Sequence, residues 1–362
     1  MSRIIGHLDL DYFYAQVEEV EAPSLKDTPV IVCVFSGRTE DSGVVSTANY
    51  KAREYGIKSG MPIALAKSRL NGTPATLIRM DHAKYEVYSD RVMEILRTEA
   101  DVMEQAGIDE AFFDITKKTG GDYDAALALA LKMKESILRE EKLTCSIGIG
   151  SNKVVAKIAS DFKKPDGLTI VRDDKALAFL SPLPIDRIYG VGPKTSKLLQ
   201  ENGITTVQDL AMTPIQSLED LLGKKLAVYL SNASNGTDDE PVVEQRGISQ
   251  ISRMVTLKKD THDVDRILEA LLPALSDVHA KLASKNLFFR NISVIGILKD
   301  LSVHSKSKTL DSATNNYSII ERETRELFAA LLREPGDLRR AGVRVGEFED
   351  MMDQRSLTDF TS

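Results

Sequence analysis

The sequence predicts a multidomain protein of the α+β class. Three observations lead to this prediction. The 362 residues are too many for one ordinary hydrophobic core. Apolar strands and amphipathic helices give the order β-α-β-β-α-β, typical of a ferredoxin-like unit, near the start of the chain and again near its end. Between the two units lies a stretch of short helices whose turns are marked by Gly and Pro.

The first unit begins with a buried strand over residues 3–10, the sequence RIIGHLDL. Residues 12–75 are set aside as an insertion, with strands over 29–35 and 43–48 and helices over 49–55 and 62–70. The remaining elements are a strand at TLIRM (76–80), a helix over 82–98, a hairpin of strands at 101–106 and 110–115, a helix over 122–141, a strand at TCSIGIG (144–150) and a helix that begins at Ser151.

The rest of the chain contains the short helices, a linker, the second unit and a tail. The short helices span residues 172–233, and the polar, acidic stretch 234–247 is a predicted linker. The second unit consists of a strand at 249–257, a helix over 263–285, strands at 287–298 and 301–310, a helix over 316–333 and a strand at 339–348, before a tail of twelve residues.

Charge is spread unevenly along the chain. The formal net charge is −7 at pH 7, and residues 1–244 carry 29 Lys and Arg against 37 Asp and Glu. Residues 245–350 carry 17 against 15. The acidic total lowers the expectation of nucleic-acid binding, but local patches decide phosphate binding, and carboxylates that hold metal ions also count as negative.

Composition also bounds the cellular location. No apolar run reaches the length of a membrane span, and the N-terminus lacks the basic region and apolar core of a secretory signal. Cys33 and Cys145 lie in apolar, strand-like stretches and show no spacing pattern. Because two buried thiols favour a reducing compartment, we expect a cytoplasmic protein.

An acidic cluster is the first candidate site. Asp9 lies in the first strand, and Asp109 and Glu110 lie at the turn of the central hairpin. These strands are neighbours in a β-α-β-β-α-β sheet, so the three carboxylates should face one another, which requires cations between them. Oxygen ligands favour Mg²⁺, and two such ions would support phosphoryl or nucleotidyl transfer.

A structural explanation of these acids is also possible. An isolated Asp near a strand end is usually a helix cap or a solvated turn residue, and Asp11 is expected to be such a cap, opening the helix YFYAQVEEV. A single DE pair is common on surfaces. The combination of two acidic sites on neighbouring strands is what favours a metal site.

Five ordered motifs carry a resemblance to a known family. They are DLDYFYAQVEE (9–19), STANYKAREYG (46–56), GIDEAFFDIT (107–116), SIGIGSNKVVAKIASDFKKPDG (146–167) and YGVGPKT (189–195). In this order they resemble the Y-family translesion DNA polymerases, most of all the archaeal DNA polymerase IV type, over essentially the whole chain.

The resemblance implies domains called palm, fingers, thumb and little finger. The ferredoxin-like palm would comprise residues 1–11 and 76–168, with the fingers inserted at 12–75. The helix-hairpin-helix thumb would span 169–233, followed by the linker at 234–247. The second β-α-β-β-α-β unit, residues 248–350, would be the little finger, and residues 351–362 the tail.

The resemblance also implies the roles of the three acidic residues. Asp9 and Asp109 would hold both Mg²⁺ ions, Glu110 would complete the site of the catalytic ion, and the backbone carbonyl of Leu10 would join at the nucleotide-side ion. The activity implied is template-directed DNA synthesis from deoxynucleoside triphosphates, with low fidelity, no proofreading and translesion synthesis in DNA repair.

Further motif residues match nucleotide-binding positions of the family. Tyr14 matches the steric gate that excludes a ribose 2′-hydroxyl, whereas Phe13 is expected in the core. Tyr50 and Arg53, three apart on one helix face, suit the β- and γ-phosphates. Lys164 matches a lysine that reaches the same phosphates. Two further positions in the fingers segment are Thr47, expected to assist, and Val44, where the family often has a smaller residue over the nascent base pair.

Candidate DNA contacts lie later in the chain. Gly190 and Gly192, before the Pro193 that opens a helix, have the pattern of a hairpin whose N–H groups bind phosphate, with Lys194 nearby. In the second unit, Arg340 and Arg344 share one sheet face, and Arg253 is expected beside them, forming a clamp on the duplex backbone. Charged residues that only protect strand edges are the alternative.

The tail QRSLTDFT resembles a motif that inserts into a sliding clamp. Gln354, Leu357 and Phe360 match its anchor positions, and Thr361 replaces the second aromatic residue. A tail without a partner is the alternative. The partners expected are therefore a primed DNA template, deoxynucleoside triphosphates and the clamp, for a protein that acts as a monomer.

Other functions remain possible from the sequence. A nucleotidyl cyclase shares the palm and the two-metal chemistry, but would lack the helix-hairpin-helix, the basic second unit and the tail. A catalytically inactive DNA-binding scaffold would be expected to have lost one of the three acids, which are all present. A two-metal nuclease is disfavoured by the residues that match deoxynucleotide-binding positions.

Overall fold

The computed structural model describes residues 2–244, 248–333 and 335–349. These residues divide into two compact units, of which the first comprises residues 2–34 and 44–244 and the second residues 35–43, 248–333 and 335–349.

Strands and helices alternate through residues 2–170. In chain order the elements are β1 (Ile5–Leu10), α1 (Phe13–Glu21), β2 (Val30–Phe35), β3 (Gly43–Ala48), α2 (Tyr50–Arg53), α3 (Ile63–Leu70), β4 (Thr76–Arg79), α4 (His82–Glu99), β5 (Val102–Gln105), β6 (Glu110–Asp114), α5 (Thr116–Thr119), α6 (Tyr123–Glu141), β7 (Cys145–Gly150), α7 (Lys153–Phe162) and β8 (Leu168–Ile170).

A five-stranded sheet forms the centre of the first unit, in the order β5-β6-β1-β7-β8. Strand β1 is antiparallel to both of its neighbours, β6 and β7. All residues of β7 and nearly all of β1 are buried, because helices pack against the sheet over a core that includes Phe113, Met93 and Ile137. The neighbours expected from a β-α-β-β-α-β order are confirmed.

The strand at Thr76–Arg79 departs from the sequence-based expectation. Its sequence, TLIR, was assigned to the unit that begins again at residue 76. In the structure β4 instead pairs in parallel with β2, in a three-stranded sheet of order β3-β2-β4. The strand therefore belongs to the sheet of the inserted segment. The short strand β8, parallel to β7, was not predicted.

Helix starts follow their capping residues. The side chain of Asp81 accepts a hydrogen bond from the N–H of Lys84 at the start of α4. At α7 the cap is Asn152, which accepts from the N–H of Val155. The helix predicted to begin at Ser151 is thus correct, but its cap is the following residue.

Short helices fill residues 173–234, as predicted. Two are 3₁₀ turns, at Asp173–Lys175 and Ile185–Arg187. The others are α8 (Ala176–Leu180), α9 (Pro193–Glu201), α10 (Val207–Met212), α11 (Ile215–Leu222) and α12 (Lys224–Ser234). They share a core that includes Leu199, Leu210, Leu218 and Leu230. The described part of the predicted linker, residues 235–244, contains neither helix nor strand.

The second unit has one antiparallel sheet and two long helices. Its elements are β9 (Gln250–Thr261), α13 (Val264–Ser284), β10 (Phe288–Leu298), β11 (Val303–Thr314), α14 (Tyr317–Leu331) and β12 (Leu338–Glu349), and the sheet order is β11-β10-β12-β9. Both helices pack on the same face, over Phe289, Val343 and Phe328. The opposite face of the sheet carries no helix among the described residues of this unit.

Candidate active site

Three acidic residues lie at the same end of the central sheet. In the pairing of β1 with β6, Asp9 lies opposite Glu110. Just beyond, the N–H of Leu10 donates to the carbonyl oxygen of Asp109, with an N–O distance of 2.9 Å. The structure therefore brings Asp9 close to Asp109 and Glu110, although Asp9 lies 100 residues before Asp109 in the sequence.

Two of these carboxyl groups hold their protons more tightly than usual. Burial raises the pKa of Asp9 to about 6, against the opposing effect of the Lys164 ammonium, and the charge of Asp109 adds to the increase. Burial, followed by the charge of Glu110, also raises the pKa of Asp109. In both groups burial disfavours the ionised form, and a bound cation would favour it.

Glu110 is in the opposite situation. Its carboxylate contacts His7, whose Nε2 lies 3.4 Å from Oε2, and pairs with the ammonium of Lys157. The contact with His7 and then the Lys157 ion pair lower the pKa of Glu110 to about 2. His7 is fully buried, and its Nδ1 lies 2.8 Å from Oγ of Ser160, which fixes the ring.

Lys164 forms an ion pair with Asp9. Its Nζ lies 2.7 Å from Oδ2 of Asp9 and 2.7 Å from Oδ1 of Asp161. Two lysines, Lys157 and Lys164, therefore neutralise part of the acidic cluster.

The cluster fits divalent metal ions by its donor chemistry. In the part of the chain that the structure describes, no three His, Cys, Asp or Glu side chains are arranged as a metal site. However, Asp9, Asp109 and Glu110 offer carboxylate oxygens, which Mg²⁺ prefers, and the raised pKa values of Asp9 and Asp109 mark a place where positive charge is needed. Binding would require the carboxylates to exchange their lysine contacts for the ions.

The aromatic residues after Asp11 have different environments. Phe13 is buried in the core, as predicted. Tyr14 is half-buried and stacks on Tyr85, with ring centroids 4.4 Å apart. Burial, with a smaller effect from the charge of Asp109, raises the pKa of Tyr14. The ring of Tyr14 is thus held beside the acidic cluster.

The expected phosphate-binding residues lie near one another. The guanidinium of the exposed Arg53 lies over the ring of Tyr50, 4.8 Å from its centroid, and Nε donates to the carbonyl oxygen of Ala48. Burial, followed by the charge of Asp11, raises the pKa of Tyr50, and the charges of Arg53 and Lys164 oppose that increase. Of the two further residues in β3, Thr47 is buried and Val44 is 44% exposed.

Asp11 is not the helix cap that the sequence predicts. The residue before α1 is Tyr12, whose φ is 37°, and no side chain caps the helix. Asp11 is instead buried, and its carboxylate accepts hydrogen bonds from the hydroxyls of Thr144 and Ser146 and from the N–H of Asp166. The prediction was wrong because three donors distant in sequence compete for the carboxylate.

The glycine hairpin has the backbone that its sequence predicts. Gly190 has a φ of 89°, which favours glycine, and Gly192 directly precedes Pro193 at the start of α9. Lys194 follows in the exposed first turn. A cavity of about 570 Å³ lies between this hairpin and the sheet, and both Gly190 and Glu110 line it.

The three arginines of the second unit do not share a face. In the pairing of β12 with β9, Arg340 lies opposite Thr256 and Arg344 opposite Ser252, on the face without helices. Arg253 lies opposite the buried Val343, and its Nε is 3.5 Å from Oδ2 of Asp277 in α13. The expectation that Arg253 lies beside the other two arginines was wrong. The residue of β9 opposite Arg344 is Ser252, and Arg253, one residue further along, points to the other face of the sheet.

Sequence reasoning missed His7 and Lys157. Lys157 lies in the motif SNKVVAKIASDF, and the spacing of Lys153 and Lys157 by four residues, on one helix face, was a usable signal. Nothing local distinguishes His7 from other residues of a buried strand. The proposed clamp residues Gln354, Leu357 and Phe360 lie outside the described residues.

Comparison with known proteins matches the whole length of the chain. The model of the impB/mucB/samB family matches residues 8–161, that of its C-terminal domain residues 248–358, and that of the DNA polymerase-iota thumb domain residues 186–238. A DNA polymerase IV of Nitrosopumilus maritimus is 42% identical over 99% of both chains. One from Methanosarcina acetivorans is 44% identical over 99% of this chain and all of its own.

Solved structures agree with these relatives. A Y-family DNA polymerase chimera of Dbh and Dpo4 superposes with a TM-score of 0.88, at 37% identity over 96% of this chain and 99% of its own. The chain belongs to the Y family of DNA polymerases. It is thus a DNA-directed DNA polymerase that carries out template-directed synthesis, including translesion synthesis in DNA repair.

Membership of the family also confirms the predicted fold. The five-stranded sheet is its palm, the helical region with the glycine hairpin its thumb, and the second β-α-β-β-α-β unit its little finger. Polymerases of this family depend on metal ions. Within the described ranges, no helix has both the length and the apolar character that crossing a membrane requires.

Proposed function

We propose that this polymerase transfers deoxynucleotides with two Mg²⁺ ions held by Asp9, Asp109 and Glu110. The observation that carries the proposal is the placement of these three acidic residues at one end of β1 and β6. The carbonyl group of Leu10, in the same stretch, would be a further ligand on the nucleotide side. When bound, the ions acidify the primer 3′-hydroxyl and neutralise the charge on the leaving pyrophosphate.

The chain's own residues hold and orient the reactants. Glu110, fixed by His7 and Lys157, presents an ionised carboxylate at neutral pH, as its lowered pKa indicates. No side chain is needed as a general base. Lys164 and Arg53 would bind the β- and γ-phosphates of the incoming nucleotide, and Tyr50 and Thr47 would assist. The position of the Arg53 guanidinium over the ring of Tyr50 supports this grouping.

Tyr14 would select deoxynucleotides over ribonucleotides. Its ring is stacked on Tyr85, which restricts its movement. A ring fixed in this way would collide with a 2′-hydroxyl group on the sugar of a bound nucleotide. Val44 would contact the nascent base pair from the fingers domain.

The primer terminus would lie in the cavity beside Glu110. This cavity is lined by Glu110 and Lys157 on the palm side and by Gly190 and Tyr189 on the thumb side. The N–H groups around Gly190 and Gly192, with Lys194 nearby, would bind a phosphate of the primer strand.

The open face of the little-finger sheet would bind the duplex backbone. Arg340 and Arg344 are placed there, beside Thr256 and Ser252 of β9. Contacts of this kind carry no sequence code, as a polymerase requires. Further proposals are clamp binding through Gln354, Leu357 and Phe360, action as a monomer, and a cytoplasmic location, which the two buried free cysteines support.

Primer extension is the experiment that tests the proposed function. The wild-type protein, a primed DNA template, deoxynucleotides and Mg²⁺ should give extended primers, and Asp109→Ala should give none. Extension by Asp109→Ala at the wild-type rate would contradict the metal site. A folded wild type that binds DNA but never extends it would favour the inactive scaffold.

Arg344→Ala is expected to weaken duplex binding uniformly across sequences. Each lost phosphate contact should reduce the slope of log Kd against log salt concentration by about 1. Arg253→Ala is the matched control, since Arg253 lies on the helix-covered face of the same sheet and should leave the slope unchanged. Equal slopes for Arg344→Ala and wild type, measured by fluorescence anisotropy, would contradict the assignment of the open face.

A further inference from the structure

Asp11 is a buried acid that the proposed reaction does not use. Its side chain is 1% exposed, although a buried carboxylate is costly unless it is hydrogen-bonded. Oδ1 accepts from Oγ of Ser146 at 2.8 Å. Oδ2 accepts from Oγ1 of Thr144 at 2.9 Å and from the N–H of Asp166 at 2.8 Å. One acid thus joins the end of β1 to β7 and to the loop between α7 and β8.

That loop carries Lys164. It comprises residues 163–167, KKPDG, and most of its residues are exposed. Asp166 has a φ of 54°, in the left-handed region, which is uncommon for a residue other than glycine. A hydrogen bond to its N–H therefore helps to hold this backbone conformation. The Asp11 carboxylate is the acceptor of that N–H. The neighbouring N–H of Gly167 donates to Oγ of Ser146, which is itself bonded to Asp11.

We propose that Asp11 is a positioning residue for nucleotide binding. It fixes the 163–167 loop on β7, so that Lys164, two residues before Asp166, presents its ammonium to the triphosphate. The inference rests on the proposed function of Lys164. Asp11 does not touch the nucleotide, and its effect should therefore pass through the lysine.

Gln16 offers a matched comparison within the same network. Its Nε2 donates to the carbonyl oxygen of Asp11 at 2.7 Å, and its Oε1 accepts from the N–H of Thr144 at 2.6 Å. Gln16 is also buried, but none of its hydrogen bonds reaches the 163–167 loop. Loss of either side chain should destabilise the same part of the palm, and only loss of Asp11 should release the loop.

Single-nucleotide incorporation at varied deoxynucleotide concentration tests the inference. The variants are Asp11→Ala, Lys164→Ala and the double variant. Each single variant should raise the KM for the nucleotide about tenfold or more, since a charge-assisted contact with phosphate is weakened or lost, while kcat changes much less. The double variant should be no worse than Lys164→Ala, because Asp11 acts through Lys164.

Controls separate positioning from damage to the fold. Gln16→Ala should lower the thermal unfolding midpoint yet keep the nucleotide KM near that of the wild type. Asp11→Asn, which keeps an oxygen for the N–H of Asp166, should restore most of the affinity. If Asp11→Ala does not fold, Ser146→Ala removes the bridge to Gly167 and should raise KM in the same direction.

The outcomes distinguish the inference from its basis. Additive effects in the double variant, or an equal rise in KM for Gln16→Ala, would overturn the role of Asp11 and leave that of Lys164 standing. An unchanged KM for Lys164→Ala would overturn the proposed function of that lysine, and with it the inference.

Discussion

Glu110→Gln should lower kcat for nucleotide incorporation about a thousandfold, a loss of several kcal/mol of transition-state stabilisation. The substitution keeps the shape of the side chain but removes the negative charge that the metal ions and Lys157 require. Because Lys157 pairs with Glu110, the variant also leaves an ammonium without its carboxylate partner. Rapid-quench measurement of a single incorporation, with saturating DNA and nucleotide, gives the value.

Glu104→Gln is the matched control for this prediction. Glu104 lies in β5, next to β6, and pairs with Lys153 on the same helix that carries Lys157, at 2.6 Å. Both members of that pair are buried, so the variant should lose stability. Its kcat should remain within a few-fold of the wild type. A comparable loss in the two variants would mean that disruption of the palm, and not loss of a metal ligand, explains Glu110→Gln.

Tyr14→Ala should increase ribonucleotide incorporation relative to deoxynucleotide incorporation by roughly a hundredfold or more. Removal of the ring removes the collision with the 2′-hydroxyl. The effect should appear in the ratio of the two kcat/KM values. Steady-state incorporation opposite one template base, with each nucleotide in turn, measures that ratio.

Two variants test whether the ring of Tyr14 itself is what is required. Tyr14→Phe keeps the ring and should retain the selectivity of the wild type. Tyr12 lies two residues before Tyr14, and its hydroxyl donates to Glu19. Tyr12→Phe removes that hydroxyl and should also leave selectivity unchanged. Unchanged selectivity in Tyr14→Ala would show that another side chain excludes the 2′-hydroxyl.

The acidic cluster could be predicted because sheet topology decides it. A β-α-β-β-α-β order makes the first strand a neighbour of the hairpin, and this alone brings Asp9 close to Glu110. The helices and strands of both units were predicted well for a related reason. Many of their apolar periodicities are regular, and several helices start at capping residues such as Asp81.

Residues whose partners are distant in sequence could not be assigned from local pattern. Asp11 looks like a helix cap, but its carboxylate bonds to groups 133 to 155 positions away. His7 meets Ser160 and Lys157 from a helix that lies 150 residues further on. Local preference was overridden in both cases by tertiary contacts.

The error on Arg253 was avoidable. In β9, Arg253 is two residues from Ile251 and four from Leu257, so the three side chains lie on one face of the strand. Because Ile251 and Leu257 are buried, this is the helix-covered face. Alternation within one strand was readable from the sequence. The pairing of β9 with β12 was not, and it is this register that places Ser252 beside Arg344.

The most direct test of the metal site is the number of divalent ions bound during nucleotide binding. Mn²⁺, as a spectroscopic substitute for Mg²⁺, can be titrated into the polymerase with a dideoxy-terminated primer, template and the matching deoxynucleotide, with bound ions measured by electron paramagnetic resonance. Two ions per wild-type complex and one fewer in Glu110→Gln are expected. Equal numbers in the two complexes would contradict the assignment of Glu110 as a metal ligand.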